Sequence, residues 1–530
     1  MTWISPSGRH GETSESNLNL EEFAGSPCAR ANRVTTASGT LQGRTVAGTG
    51  VRAFLGIPFG EPPVGKLRWR PPKPVKPWSG IRKAVAFGPR SMQPPIFANM
   101  VFRDKGPSED CLYLNVWTPA TSASEKLPVM FWIFGGGFQA GATSEPRQDG
   151  KNLAKKGVVV VSCNYRLGIF GFFAYPALAK ESPHHASGNY GLMDQIAALR
   201  WVKRNIAAFG GDPNNVTIFG ESAGSFSGSD LMASPVAKGL FEKAIGESGA
   251  SFGTTPHLQQ LSEGEKGGEK FAKAIGVKSL AALPAIPANK LLQDSAKWWF
   301  WPNVDGYVLP QDLGTIFAKG KQSKIPLLAG WNKDEYAPVF YPQEKPTPAN
   351  LIKAVKARFG PQADRAVKFY PHATPAQARH SLGDLTSDFF TVYITWKWLE
   401  MQNQTGDSPV YRYLFTRMLP SPPGSLFGEP PLTKKCAYHS QEIEYVFGTL
   451  ESLNAPWKPA DFKVSATMMN YWSNFAKTGD PNGTGLPHWP RYTPQNRQEM
   501  ILDKNIHPRR ATDQKRLEFI DSFLAQYRQE

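Results

Sequence analysis

Cysteine is scarce in this chain, with four in 530 residues, and Cys28, Cys111, Cys163 and Cys436 stand far apart. No C-x-x-C pair or Cys/His ligand spacing occurs, so neither a disulfide framework nor a zinc site is expected. The adjacent His184 and His185 lie in a polar stretch without a third ligand nearby, and no metal is assigned to them. Long apolar runs are missing too. The longest β-branched stretch is Val158 to Val161, far short of the roughly 18 residues that a membrane span needs. Residues 1–17 mix Trp, Pro, Arg, His and Glu and lack the apolar centre of a signal peptide, which together with reduced thiols predicts a cytoplasmic protein. There is no internal repeat and no low-complexity linker. The net charge is +16, yet Lys and Arg are dispersed and form no basic run interleaved with aromatics, so nucleic acid is not an expected partner.

What the chain does have is large apolar surface: 41% hydrophobic residues, with 32 Phe and 15 Trp to fill a core. Residues 1–32 are rich in Ser, Glu, Asn and Gly without apolar periodicity and read as a mobile leader. Residues 33–530 read as one large domain with loop insertions. From Arg33 to about Arg70, short extended runs broken by Gly and Pro, FLGIPFG among them, predict a small N-terminal antiparallel sheet. Leu112–Trp117, Val129–Phe134, Val158–Cys163, Val216–Phe219 and Ile325–Ala329 are β-rich runs separated by helical patterns. Leu192, Ile196, Leu199, Val202 and Ile206 predict a helix to about Ala207. Strands buried on both faces and separated by helices make a large, mostly parallel, doubly wound α/β sheet with helices on both faces. A monomer and a homodimer are equally compatible with this pattern.

The strand Val216–Phe219 runs directly into Gly220-Glu221-Ser222-Ala223-Gly224, a G-x-S-x-G elbow. A pattern this short arises about 0.3 times by chance in such a chain, so its strand-to-turn context is what gives it weight. Such a turn strains the serine backbone and lifts its hydroxyl above the sheet. Acyl transfer also needs N–H donors where negative charge develops. Gly135-Gly136-Gly137 follows the buried run VMFWIF and supplies them at a strand end; no Lys-Ser/Thr follows to make a phosphate loop. The serine requires a base, and His257, His372, His380, His439 and His488 all lie downstream. His439 is mildly favoured, because the apolar and acidic segment EIEYVFG follows it. For the acid, Asp334 and Glu335 after the strand Ile325–Ala329 are equal candidates on local grounds. Phe138, Trp299 and Trp301 are candidates to line an apolar substrate pocket, and the same cluster also fits core packing.

With FLGIPFG, PPVG, SEDCLYLNVW, FGGGF, GNYGLMDQIAALRW, FGGDP, GESAG, NVDGYVLP, GWNKDE and the segment His439–Gly448 in order, the chain resembles the type-B carboxylesterase and cholinesterase-like family from about Arg33 to Tyr492. The resemblance implies an α/β-hydrolase fold and serine ester hydrolysis on a small-molecule ester, with no cofactor. It implies a triad of Ser222, Glu335 and His439, and oxyanion donors at Gly136, Gly137 and Ala223. Glu221 and Ser248 are expected to support that triad from behind. Amide or carbamate hydrolysis by the same triad is the alternative. Non-catalytic adhesion relatives lack a triad residue, whereas this chain has all three. Secreted members pair the equivalent of Cys111 with a cysteine where this chain carries Met92, so that disulfide is absent. The loop from Met92 to Asp110 has no Trp to hold a quaternary ammonium, which argues against choline esters, and Phe97, Met100 and Phe102 offer a plain apolar wall instead.

Overall fold

The structure is a computed structural model that describes residues 32–527 apart from 98–99, 254–257, 278–279, 336–344 and 421–436. Residues 1–31 of the expected leader, Cys28 among them, lie outside the described residues, as do Cys436 and His257. Eleven strands build one sheet. In chain order they are β1 Arg44–Thr45, β2 Arg52–Pro58, β3 Tyr113–Thr118, β4 Leu127–Ile133, β5 Val159–Cys163, β6 Gly211–Glu221, β7 Lys243–Glu247, β8 Leu327–Asn332, β9 Val410–Phe415, β10 Gln498–Leu502 and β11 His507–Arg510. Their order across the sheet is β11-β10-β9-β8-β7-β6-β4-β5-β3-β2-β1.

From β10 to β5 every neighbouring pair is parallel, while β11 and the run from β3 to β1 pair antiparallel. The parallel centre follows from composition: Val129 to Ile133 and Val159 to Cys163 are buried at every position, as strands covered on both sides require. Consecutive residues of β7 demonstrate the covering. A Cβ on Gly246 would meet Trp398 of the helix Tyr393–Thr405 and the Ser225 hydroxyl, whereas the next residue, Glu247, accepts a hydrogen bond of 2.7 Å from the Trp472 indole of the helix Pro459–Thr478. Alternate strand residues point to opposite faces, so these helices lie on opposite sides of the sheet.

The periodic helix expected from Leu192 spans Tyr190–Asn205 (α1) and tightens into a single turn over Ile206–Phe209 before Gly210 stops it with φ 80°. A bidentate pair from Arg166 to Asp194, at 2.8 Å on both arms, ties the loop after β5 to α1. The N-terminal expectation needs one correction. The small sheet consists of Arg33–Thr36 antiparallel to Gly39–Gln42, with Ile81–Lys83 added in parallel, while the FLGIP segment is β2 of the large sheet. Among the described residues no helix is long and apolar enough to cross a membrane.

Candidate active site

Parallel strands end on the same side, and the residues singled out from sequence gather at the carboxyl ends of β4, β6, β7 and β8. Ser222 stands between β6 and the helix Ala223–Ala233 (α2) with φ 53° and ψ −122°, a strained conformation for a residue with a side chain. Its N–H donates to the Glu247 carbonyl at 2.9 Å, and its own carbonyl accepts from Phe226 N–H at 2.9 Å, so sheet and helix hold the turn from both ends. Gly224 is obligatory, because a Cβ there would lie 1.9 Å from the Ile133 carbonyl oxygen. The glycine loop after β4 arrives beside the elbow: a Cβ on Gly135 would be 3.0 Å from Ser222 Cβ. Among the described residues, the amides of Gly136, Gly137 and Ala223 have no backbone acceptor. Ala223 is the first residue of α2, where a helix leaves its N–H free.

His439 Nδ1 lies 2.6 Å from Glu335 Oε2. The other Glu335 oxygen accepts from the Ser248 hydroxyl at 2.5 Å and from Asn332 N–H at 2.6 Å. Asp334, equal to Glu335 on local reading, turns away: its Oδ2 accepts from Ala437 N–H at 3.0 Å and secures the backbone before the histidine. His439 Nε2 sits 3.2 Å from Glu221 Oε1, within ion-pair range, and among the described residues no hydrogen bond joins it to the Ser222 hydroxyl. His372 bonds its own chain at the Tyr370 carbonyl, and His380 and His488 are exposed.

A cluster of carboxyl groups surrounds the ring. Burial, reinforced by Glu442, pushes Glu221 up to about 8, and burial with Glu335 pushes Glu442 up to about 7. Burial alone would lower His439, but Glu221 first and then Glu335 outweigh it and push the imidazole up to about 9. The site therefore holds its protons more tightly than the isolated groups would.

Sequence reasoning missed Phe390 and, inside EIEYVFG and GWNKDE, the contacts made by Glu442 and Asn332. Glu442 accepts from Asn332 Nδ2 at 2.5 Å and from the Ser248 hydroxyl at 3.3 Å, and the Phe390 ring packs edge-on against His439 with centroids 4.8 Å apart. The pocket expectation for Phe138 is corrected. It is fully buried, enclosed by Tyr165, Phe172 and Trp301, and offers no surface to a ligand. Trp301 is partly buried against Phe138 and Phe226, whereas Trp299 is 70% exposed and lies next to Gly137. Of the expected apolar wall, Met100 reaches the glycine loop and Phe102 lies under the Arg90 guanidinium. Met92 and Cys111 line one small cavity, with the Cys111 thiol free and pushed up to about 12 by burial.

The profile of the family described as "Carboxylesterase family" matches residues 30–520. The chain belongs to the carboxylesterase family. It is 38% identical over 486 residues to the fumonisin B1 esterase of Sphingopyxis macrogoltabida, covering 86% of this chain and 84% of that one. With the para-nitrobenzyl esterase of Bacillus subtilis (strain 168) it shares 37% over 494 residues, covering 89% and 95%. A solved PNB esterase structure superimposes with a TM-score of 0.79 at 34% identity, covering 92% of this chain and 99% of that one. The Geobacillus stearothermophilus carboxylesterase EST55 gives 0.77 at 33%, again covering 92% and 99%. This member of the carboxylesterase family has the α/β-hydrolase fold and is a carboxylic ester hydrolase.

Proposed function

We propose that the protein hydrolyses neutral carboxylic esters with bulky or aromatic groups through Ser222, His439 and Glu335, by way of an acyl-enzyme on Ser222. The observation that carries this reading is His439, bound at Nδ1 to Glu335 and with Nε2 3.2 Å from Glu221, the residue that precedes an elbow serine in strained φ/ψ. Glu335, anchored by Ser248 and Asn332, fixes the ring tautomer with Nε2 free to accept a proton. Nε2 faces Glu221; swinging it to the Ser222 hydroxyl lets it take the proton as Oγ attacks the ester carbonyl. The amides of Gly136, Gly137 and Ala223 stabilise the oxyanion, each donor contributing roughly 2.7–4 kcal/mol. His439 returns the proton to the leaving alcohol, and water then repeats the sequence on the acyl-enzyme.

Trp299, exposed beside Gly137, supports a preference for bulky or aromatic esters. The likeness to a para-nitrobenzyl esterase makes benzylic and aryl esters the natural first substrates to assay. The free thiols of Cys111 and Cys163 fit a reducing compartment such as the cytoplasm. The test is kcat/KM on matched aryl and alkyl esters, amides and carbamates, alongside Ser222→Ala and His439→Ala. Neutral aryl esters are expected to lead and both variants to lose turnover. Faster cleavage of the matched amides or carbamates would overturn the substrate reading, and turnover by either variant within about tenfold of wild type would overturn the mechanism.

A further inference from the structure

His439 is held at more points than its ring. On its N-terminal side, Asn332 Nδ2 donates to the Tyr438 carbonyl at 2.8 Å. On its C-terminal side stands Ser440, with φ 68°, a left-handed conformation that a residue with a side chain adopts only when something secures it. That something is Arg147, from a part of the chain 293 residues away.

Arg147 sits in the single turn Pro146–Gln148, on the crossover between β4 and β5. Its guanidinium forks. Nε lies 2.8 Å from Glu444 Oε1, and Nη2 donates both to Glu444 Oε2 at 3.1 Å and to the Ser440 carbonyl. The backbone is tied as well, since Thr449 Oγ1 donates to the Arg147 carbonyl at 2.6 Å. Both charged side chains are largely buried, at 14% and 2% exposure. Charge neutralisation of Glu444 explains two arms of the fork. The third arm does something else: it fixes the Ser440–Gln441 peptide, one residue beyond His439, so that the histidine is strung between Asn332 on one side and Arg147 on the other while Glu335 holds its ring.

We propose that Arg147 is a positioning residue for His439, acting through the Ser440 carbonyl to hold the histidine backbone where the ring stays on Glu335 and can swing to Ser222. This rests on His439 being the base. A displacement of about 1 Å in a catalytic group can cost on the order of a hundredfold in rate, so a lost clamp should appear in kcat and leave substrate binding intact.

The experiment must separate that arm from the ion pair, because removing Arg147 alone leaves Glu444 as an uncompensated buried charge. Glu444→Gln removes the charge and keeps an acceptor for Arg147. Arg147→Met together with Glu444→Gln then removes the cation along with the charge of its ion-pair partner; because Arg147 also favours the charged forms of Glu145 and Glu221, the charge-keeping Arg147→Lys is measured beside it. The single variant is expected to keep kcat within about threefold of wild type. The double variant is expected to lose roughly ten- to a hundredfold in kcat, with KM within about threefold, and to shift or broaden the downfield proton resonance of His439 Nδ1–H. Equal kcat in the two variants, with that resonance unmoved, overturns the proposal. If the double variant does not fold, Arg147→Lys reads the same contact, since a lysine keeps the charge but not the fork. A fall in its kcat at constant KM supports the clamp, and a wild-type kcat overturns it. His439→Ala, run in parallel, keeps the two readings apart: an active His439→Ala enzyme would remove the triad reading itself.

Discussion

Replacing Glu221 by Gln should make the enzyme work at lower pH. Glu221 Oε1 lies 3.2 Å from His439 Nε2 and is the largest of the charges that raise the imidazole to about 9. At that separation a full negative charge favours the imidazolium by about 1.3 kcal/mol in a water-like medium and about 5 kcal/mol at an effective dielectric of about 20. With 1.36 kcal/mol per pH unit, these limits span about one to four units. Glu221, itself pushed up to about 8, carries most of its charge where His439 titrates near 9, so at least the lower limit applies. A carboxylate stabilises the protonated ring, so removing it lowers the histidine pKa and frees the neutral base at lower pH. The acid limb of kcat/KM for a neutral aryl ester, followed from about pH 5 to 10, should therefore move down by about one unit or more. A limb that stays within about 0.3 units of wild type, or that moves upward, refutes the electrostatic reasoning.

Glu335→Gln should lower kcat by on the order of a thousandfold or more, because the amide cannot hold the required tautomer, while Asp334→Asn keeps an acceptor for Ala437 N–H and retains most activity; the reverse ranking in steady-state assays would reject Glu335 as the acid. Gly224→Ala would place a Cβ 1.9 Å from the Ile133 carbonyl, so a thermal melt should show a lower Tm equivalent to at least about 1–3 kcal/mol, and an unchanged Tm would contradict the packing of the elbow. A choline ester should be a poorer substrate than its isostere with carbon in place of the quaternary nitrogen, since no Trp lies between Met92 and Asp110 to supply the roughly two- to thirtyfold that a cation–π contact contributes; a tenfold preference for the charged member would reveal a cation site elsewhere.

The elbow was legible in the sequence because its signal is local: a buried strand running directly into two glycines with a serine between them. The parallel centre was legible for the same reason, since Val159 to Cys163 and Val129 to Ile133 carry no polar face to expose. Choosing between Asp334 and Glu335 was not a local matter. Neighbouring residues point in different directions, and only the position of the histidine loop decides which of them meets the ring. The FLGIP strand was assigned to the small sheet because extended residues do not announce their partner, which proved to be β3, more than fifty residues on. Phe390 and Arg147 went unnoticed for a related reason: each reaches the histidine loop from a distant stretch, and single residues without periodicity give no sign of long-range contact; Asn332 and Glu442 lay inside GWNKDE and EIEYVFG, but nothing local shows which groups their side chains meet. The burial of Phe138 shows the converse error, a residue next to the right motif whose side chain turns into the core.

The claim on which the account depends is that Ser222 Oγ is the atom that carries the acyl group. Intact-protein and peptide mass spectrometry after treatment with a small phosphonate ester tests it directly. The account predicts one adduct per chain, located on the peptide that contains Gly220 to Gly224 and absent from Ser222→Ala. An adduct on another residue that abolishes activity, or a Ser222→Ala enzyme that still forms the adduct and turns over ester, would contradict it.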